Sequence, residues 1–317
     1  MKAPDAIKFC EAVQEEIQAH ESKGHWMLVK RSELPQGVKP LPAVWAMKRK
    51  RRAATGVVYK YKARSNVGGH KQLKYVNFWQ TYSPLIGWPV IRLFIALSII
   101  HGWKAKQYDF TLAYPQADIE TAMYMDIPRG FTAPGGNKNY CLKLIKNLCG
   151  QIQAGRVWNI HLHSGLTNIG FEQSAYEECL YFRDDTILLL YVDDLIIMSK
   201  AETDVDKAFR DIQREGTLND YLGIEVQRKR NGTIHLIQPT IIRQIINSLG
   251  FNNRTKSKPN PAKIATTLNK ATIELPHNAT WDYRSVIGKL NYLEKSTRPD
   301  IAFAAHQAVR FHSEPKQ

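Results

Sequence analysis

Two adjacent carboxylates, Asp193 and Asp194, lie in the middle of the most apolar stretch of the chain, residues 187–198. Apolar and aromatic residues flank the pair on both sides, a pattern that favours two buried strands. Two like charges in a partly desolvated place are unfavourable unless something positive neutralises them. A divalent cation is the usual partner, and hard carboxylate oxygens suit Mg²⁺. Asp is also a common hairpin-turn residue, so a plain turn is an open alternative.

A third carboxylate, Asp109, stands at the end of a predicted strand that begins at Lys104. Two-metal sites for phosphoryl or nucleotidyl transfer need carboxylates from at least two strand ends, which hold the ions about 3.5–4 Å apart. Asp109 and the acid pair would supply such a set. They are far apart in the chain, however, and no spacing rule joins them.

The positive charge of the chain is concentrated in one block. The 317 residues include 44 Lys and Arg against 29 Asp and Glu, which gives a net charge of +15 and indicates a polyanionic partner. Between Glu33 and Asp109 there is no acidic residue, and fourteen Lys or Arg lie there. Nucleic acid is favoured over membrane, because no apolar run reaches the length of a membrane span.

Aromatic and β-branched residues are interleaved with the cations of this block, which argues against a disordered arm. The stretch Val57–Arg64 partly alternates and predicts a strand after a turn at Thr55–Gly56. A folded basic sheet with aromatic residues suits contact with phosphates and stacked bases. We therefore expect this block to bind nucleic acid or nucleotide phosphates.

The four cysteines include no C-x-x-C pair, so a zinc site and a disulfide framework both fit poorly. The first residues have no signal-peptide apolar region. An intracellular location is expected, with cytoplasm and nucleus both open.

Helices and strands are predicted without a regular βαβ alternation, which favours an α+β fold. A helix over 4–20 is expected to place Ile7, Val13 and Ile17 on one side. Further helices are predicted over 85–101, 155–169, 203–214, 240–250 and 282–294, and after Pro299. Strands are predicted as a basic pair within 44–75, over 104–110, on both sides of the acid pair, over 218–226, and in a hairpin through Asn231–Gly232 to Ile237. Residues 252–281 are polar and irregular.

Six short motifs occur in order along the chain. They are Tyr61–Arg64 (YKAR, continued by Gly69 and Gln72), Asp109–Tyr114 (DFTLAY), Tyr124–Phe131 (YMDIPRGF), Tyr191–Asp194 (YVDD), Tyr221–Ile224 (YLGI) and Thr297–Ile301 (TRPDI). Together they resemble the motifs of the reverse transcriptase of copia-type LTR retrotransposons, over essentially the whole chain. The segment Leu148–Trp158 is most similar to the form found in the diatom and algal branch of that family.

The resemblance implies an α+β right-hand polymerase with fingers, palm and thumb, and an antiparallel palm sheet that carries the YVDD hairpin. Residues 1–238 would form fingers (mainly 25–100) and palm (mainly 101–238), and residues 239–317 the thumb or connection region. The implied activity is RNA-directed DNA polymerisation, in which a primer 3′-OH attacks the α-phosphate of a dNTP and pyrophosphate leaves. The implied partners are an RNA template, a DNA primer and dNTPs. The implied cofactor is a pair of Mg²⁺ ions, for which Mn²⁺ could substitute.

The resemblance also implies roles for the residues that match the motifs. Asp109 and Asp193 would bridge both metal ions, with Asp194 beside them. Lys62 and Arg64 would grip the triphosphate, and an Arg fork suits phosphate oxygens.

A second group of residues would line the nucleotide, template and primer. Tyr114 would exclude the ribose 2′-OH, Gln153 and Arg156 would lie near the nucleotide or template, and Tyr191 would pack close to the primer end. The motif that contains Tyr221, Leu222 and Gly223 would grip the primer. For Tyr114 and Gln153 a packing role is the alternative.

Three departures from the family pattern favour a second hypothesis, a catalytically inactive nucleic-acid-binding relic. Cys149 replaces a usual Tyr, Ile152 replaces a usual basic residue, and the segment 200–216 is shorter than expected. A metal-dependent hydrolase is a third possibility, but it explains neither Tyr114 nor the basic block. No protease, integrase or RNase H motif is found, so we expect a piece of a longer polyprotein or a truncated gene.

Overall fold

In the computed structural model, the described residues are 5–51, 57–215, 218–220, 225–228, 234–251, 255, 260–261, 268 and 281–311. The chain groups into two compact units, Met1–Tyr221 and Leu222–Gln317. Each unit has its own cluster of buried apolar side chains. The names fingers, palm and thumb stay predictions for these units.

The first unit mixes helices and antiparallel strands. Its helices are α1 (Ala6–Ser22), α2 (Trp88–Ile100), α3 (Ala154–Asn168) and α4 (Glu202–Glu215). Its strands are β1 (Trp26–Lys30), β2 (Ala43–Arg51), β3 (Val58–Val67), β4 (Lys104–Phe110), β5 (Tyr124–Met125), β6 (Tyr140–Leu144), β7 (Glu172–Gln173), β8 (Leu180–Arg183), β9 (Thr186–Tyr191), β10 (Asp194–Ser199) and β11 (Leu218–Asp220). The mixture confirms the predicted α+β class at this coarse level.

A six-stranded antiparallel sheet forms the centre of this unit, in the order β11-β4-β10-β9-β8-β7. Helices α3 and α4 bury their apolar stripes in the same core, through Trp158, Leu162, Leu166, Val205, Ala208 and Ile212. The side chain of Lys106 on β4 contacts Glu202 at 3.0 Å and Asp206 at 2.6 Å, which ties α4 to the sheet. Helix α3 ends before Gly170, whose φ of +86° permits the predicted stop.

Helix α1 packs against the hairpin formed by β2 and β3. Its buried stripe contains Phe9, Val13 and Ile17, and the Phe9 ring meets the Tyr61 ring edge-on at 5.0 Å. The prediction that Ile7 belongs to this stripe is wrong, because Ile7 is 74% exposed. Ile7 stands two residues before Phe9, roughly 200° around the helix, and so points away from the hairpin.

The second unit contains a hairpin and three helices among the residues described. These are β12 (Glu225–Arg228), β13 (Ile234–Ile237), α5 (Pro239–Ser248), α6 (Tyr283–Ser296) and α7 (Ala302–Val309). The Asp282 side chain accepts a hydrogen bond from the Ser285 N–H at 3.2 Å and caps α6. The strands of the β12–β13 hairpin pair with each other, and the hairpin groups with the second unit. The thumb boundary at residue 238 that the resemblance implies stays a prediction.

One predicted strand of this region differs from the structure, and two other predicted segments lie wholly or mostly outside the described residues. The strand predicted over 218–226 is divided, since β11 pairs with β4 and β12 pairs with β13. The predicted turn at Asn231–Gly232 and most of 252–281 lie outside the described residues. No helix within the described ranges is both long and apolar enough to cross a membrane.

Two backbone segments of the first unit approach each other too closely for side chains. A Cβ atom on Gly150 would overlap the carbonyl oxygen of Val67, and one on Gly69 would overlap the carbonyl oxygen of Gly150. The Val67 N–H donates to the Cys149 carbonyl at 2.8 Å. Glycine is therefore required where the end of β3 meets the loop before α3.

We predict that Gly150→Ala lowers the free energy of unfolding by about 3 kcal/mol, because it combines an unfavourable φ with a backbone clash. Gly135→Ala is the matched control, since Gly135 also has positive φ, +75°, but open space around its Cβ position. The control should lower the free energy of unfolding by only about 1 kcal/mol, which is the cost of placing alanine in the left-handed backbone region. Urea unfolding followed by Trp fluorescence measures both, and equal losses would contradict the clash.

Candidate active site

The three predicted catalytic carboxylates lie side by side at one end of the central sheet. Strands β4 and β10 are antiparallel neighbours, and their register places Asp194 directly opposite Asp109. Val192 and Asp193 form the two-residue connection between β9 and β10. The Phe110 N–H donates to the Asp193 carbonyl at 2.9 Å, which fixes this turn against the end of β4. Tertiary structure thus brings together residues that no sequence spacing joins.

The electrostatic signature of this cluster is that of carboxylates held close together. Burial raises the pKa of Asp194 to about 6, and the charges of Asp109 and Asp193 contribute to that rise. Burial also raises the pKa of Asp109, and Asp193 adds to that shift. The Gln107 side-chain amide donates to Asp194 Oδ1 at 3.4 Å and partly offsets the rise for Asp194.

The donor chemistry of this cluster fits a hard divalent cation. Carboxylate oxygens are the ligands that Mg²⁺ prefers, and mutual repulsion between them is relieved by a cation. Within the described residues, no group of three or more His, Cys, Asp or Glu side chains is closed around a common point. The three side chains are therefore adjacent but not closed into a ligand set.

The β2–β3 hairpin presents one strongly cationic face. Its register pairs Lys48 with Lys62 and Lys50 with Lys60, and Arg64 follows two residues after Lys62. Paired residues and residues two apart point to the same side of a hairpin, so these five cations share a face. Like charges directly opposite each other are destabilising, which makes this face a natural site for a polyanion.

The cationic face lies within electrostatic range of the carboxylates. The charges of Lys62, Arg64 and Lys50 lower the pKa of Asp109 and oppose its other shifts. Burial lowers the pKa of Lys62, the cations Arg64 and Lys50 lower it further, and Asp109 acts in the opposite direction. Positive and negative groups of the first unit therefore lie within electrostatic range of each other.

Tyr114 and Cys149 also lie within electrostatic range of Asp193 and Arg64. Burial raises the pKa of Tyr114, with further contributions from the charge of Asp193 and from Cys149, while Arg64 acts in the opposite direction. Burial also raises the pKa of the Cys149 thiol, and Arg64 partly opposes this. Cys149, one of the three departures from the family pattern, is thus a neutral residue within electrostatic range of both Arg64 and Asp193.

Gln153 is enclosed rather than open to the site. It is 1% exposed, and its side-chain carbonyl oxygen accepts a hydrogen bond from the Gln72 amide at 2.9 Å. The Gln72 side-chain carbonyl oxygen in turn accepts the Ile152 N–H at 2.8 Å. These contacts join the segment after β3 to the start of α3, and a contact between Gln153 and a nucleotide stays a prediction.

The remaining predicted site residues occupy different surroundings. Arg156 pairs with Glu120 at 2.8 Å. Tyr191, at the end of β9, is 39% exposed and lies 6.4 Å from Trp88, measured between ring centroids. Tyr221, Leu222 and Gly223 lie outside the described residues.

Sequence reasoning missed Gln107. It named Gln72 as a motif residue and counted Lys48 and Lys50 in the basic block, but it did not predict the contact of Gln72 with Gln153 or the pairing of the two lysines across the hairpin. Gln107 stands two residues before Asp109 on β4, so strand alternation places both on one face. That signal was present in the sequence. The roles of Lys48 and Lys50 depend on hairpin register, which local pattern does not specify.

We predict that Asp194→Asn stabilises the protein at neutral pH when no divalent cation is present. The unfolded chain releases this proton near its ordinary pKa of 3.8, whereas the folded protein releases it at about 6. Wild-type stability therefore falls as pH rises between these values, and the substitution removes the fall. Because the group is half-buried, screening limits the expected gain at pH 7.5 to about 1 kcal/mol.

Urea unfolding from pH 4 to pH 8 in chelator measures this effect. Asp118→Asn is the control, because Asp118 is an exposed carboxylate paired with Lys146 at 2.6 Å. The control should show no gain at neutral pH. Parallel pH curves for wild type and Asp194→Asn would contradict the prediction.

Comparison with known proteins identifies the family of this chain. The family described as reverse transcriptase (RNA-dependent DNA polymerase) matches residues 24–262, most of the chain. The Retrovirus-related Pol polyprotein from transposon TNT 1-94 of Nicotiana tabacum is 31% identical over 98% of this chain and 24% of its own length. The corresponding polyprotein from transposon RE1 of Arabidopsis thaliana is 29% identical over 96% of this chain and 21% of its own length.

A shorter relative, a putative transposon Ty5-1 protein of Saccharomyces cerevisiae, is 26% identical over 66% of this chain and 70% of its own length. The chain spans only about a quarter of the first two relatives, at 24% and 21% of their lengths. Enzymes of the matched family generally use divalent metal ions and act on a nucleic-acid template and primer. The chain belongs to the reverse transcriptase family, in the form found in the Pol polyproteins of copia-type retrotransposons.

Proposed function

We propose that this chain is an RNA-directed DNA polymerase that transfers a nucleotide from a dNTP to a primer 3′-OH. One observation carries the proposal: three adjacent carboxylates lie within electrostatic range of the cationic face of the β2–β3 hairpin, and the two would border one space. The charges of Lys62 and Arg64 act on Asp109 across it. Such a space suits a substrate that brings both phosphates and metal ions.

The proposal assigns the first unit to the fingers and palm of a right-hand polymerase, and the hairpin β9–β10 to the catalytic YVDD turn. The antiparallel central sheet is the evidence for the palm assignment, and the basic β2–β3 hairpin is the evidence for the fingers assignment. The thumb or connection region would lie within residues 239–317. RNA template and DNA primer would be bound through their backbones, which suits a chain of net charge +15.

The residues of the site would act mainly by positioning and charge. Lys62 and Arg64 would hold the triphosphate, with Arg64 able to bond two phosphate oxygens at once. Tyr114 would limit space beside the sugar, and Tyr191 would contact the primer end. A new bond forms between the primer 3′ oxygen and the α-phosphorus, and the bond to pyrophosphate breaks.

Asp109, Asp193 and Asp194 would hold two Mg²⁺ ions, with Mn²⁺ as a substitute. When bound, the ions would neutralise phosphate charge and clamp the attacking and leaving oxygens. The carboxylates themselves would position the ions, because they are fixed on paired strands rather than on a long loop.

All three departures that favour an inactive relic lie in the first unit, where Ile152 is 41% exposed. Cys149 leaves the space between Arg64 and Asp193 bordered by a small neutral thiol where the family has an aromatic ring. The shortened segment still contains α4, which buries Val205, Ala208 and Ile212 and supports the sheet. The relic hypothesis therefore requires a loss of catalytic turnover, because the packing of α4 on the sheet is retained.

We predict that wild type extends a DNA primer on an RNA template with Mg²⁺ and dNTPs, and that Asp193→Asn/Asp194→Asn lowers the rate by at least about a thousandfold. A second Asp pair supplies the matched control. Asp184 and Asp185 are exposed and form the turn between β8 and β9 of the same sheet. Asp184→Asn/Asp185→Asn should retain the wild-type rate.

The same experiment separates the competing functions. Salt-sensitive binding of primer–template without any extension by wild type would overturn the polymerase and support the relic. Extension that survives in the Asp193→Asn/Asp194→Asn variant would show that the catalytic assignment is wrong.

We also predict that Lys62→Ala and Arg64→Ala each raise the dNTP KM by about 10-fold to 100-fold, because each removes a charge-assisted contact to phosphate. Lys138→Ala, an exposed lysine remote from the hairpin in sequence, is the control and should leave KM unchanged. Steady-state extension at varied dNTP measures all three. A change confined to kcat would contradict the triphosphate role.

A further inference from the structure

The turn that carries Asp193 has a strained backbone. Val192, the first of its two residues, has a φ of +59°. The left-handed region is unfavourable for any residue with a Cβ, and a β-branched residue there is a clear outlier. Something outside the turn must therefore stabilise this conformation.

The indole of Trp158 is the side chain that meets the turn. Its Nε1–H donates to the Val192 carbonyl oxygen at 2.9 Å. Trp158 lies on α3 and is 2% exposed, so its position is fixed by the core. A buried indole N–H requires an acceptor, and here the acceptor is the residue next to Asp193.

The same indole also contacts the strand that carries Asp109. The rings of Trp158 and Phe110 meet edge-on, with centroids 5.0 Å apart. The backbone N–H of Phe110 donates to the Asp193 carbonyl at 2.9 Å, so the two contacts of Trp158 belong to one connected unit. The side chain of Trp158 thus contacts the neighbours of two carboxylates, Asp109 on β4 and Asp193 in the turn between β9 and β10.

We propose that Trp158 is a positioning residue for the carboxylate cluster: its N–H holds Val192 in the left-handed turn and thereby sets Asp193 against Asp109. The proposal rests on the proposed function for its turnover readout, but its structural part is independent of it. Packing alone does not account for the residue, because a phenyl ring would fill much of the same space without the hydrogen bond.

The test removes the N–H and keeps an aromatic ring. Trp158→Phe is expected to lower kcat for extension about 10-fold to 100-fold and to raise the Mg²⁺ midpoint by a similar factor, as loss of an outer-shell contact does at metal sites. The dNTP KM should stay within about twofold, because the triphosphate contacts are untouched. Trp45→Phe is the matched control, since it also deletes an indole hydrogen bond to a backbone carbonyl, that of Arg129, at 3.0 Å. The control should leave the Mg²⁺ midpoint unchanged.

A double-mutant cycle tests the link to the strained turn. Asn adopts the left-handed region more readily than Val, so Val192→Asn reduces the need for the hydrogen bond. The effect of Trp158→Phe on the Mg²⁺ midpoint should therefore shrink to less than about threefold when it is combined with Val192→Asn. Equal effects with and without Val192→Asn, or an unchanged midpoint in Trp158→Phe, would overturn the proposal.

Two further measurements keep the result interpretable. If Trp158→Phe does not fold, 3-benzothienylalanine at position 158 replaces it, because this isostere keeps the ring shape and lacks the N–H. If wild type does not extend primers, the proposed function fails, and the Mg²⁺-induced rise in Tm then supplies the midpoint for the same cycle. A Tm response to Mg²⁺ that is identical in wild type and in the isostere variant would overturn the role of Trp158.

Discussion

The pairing of β4 with β10 is the constraint on which the site depends. This ladder sets Asp194 opposite Asp109, and the Phe110 N–H holds the Asp193 carbonyl at the end of the same ladder. The arrangement places three like charges together, which is unfavourable without a cation. Apolar packing offsets this repulsion, because the strands continue into a core of buried Leu, Ile and Met side chains covered by α3 and α4.

The β2–β3 hairpin concentrates like charges of the opposite sign. Five cations share one face of β2 and β3, and the hairpin is held in place by its other face, where Tyr61 and Ala63 pack against α1. The glycine contact between Gly150 and Val67 then fixes the end of β3 to the loop that leads into α3. Two surfaces of opposite charge are therefore built on separate apolar cores of one unit, and a ligand that carries phosphates and metal ions would relieve both.

Particular elements show how far sequence reasoning reached. The apolar run around the acid pair, the alternation in the basic strands and the stop at Gly170 each predicted the correct element, because local pattern dictates them. Helix α1 was predicted over 4–20 and is found over Ala6–Ser22. Ile7 was assigned to the wrong side, since a helix of mixed polarity has several apolar directions and only the hairpin selects one. Gln153 was predicted to lie near the nucleotide or template, and its enclosure by Gln72 could not be seen from spacing.

The sequence by itself determined the family, through six motifs in order, the α+β class and the acid-free basic block, and it singled out Asp109, Asp193 and Asp194 as the proposed catalytic carboxylates. The apolar run on both sides and the YVDD motif singled out Asp193–Asp194, although Asp184–Asp185 also lies at a turn between two strands. The tertiary structure decided their surroundings, because strand pairing leaves Asp184 and Asp185 exposed and sets Asp194 opposite Asp109, where burial raises the pKa of Asp194 to about 6. Local sequence fixes turns and strands, whereas the register between distant strands decides which charges meet.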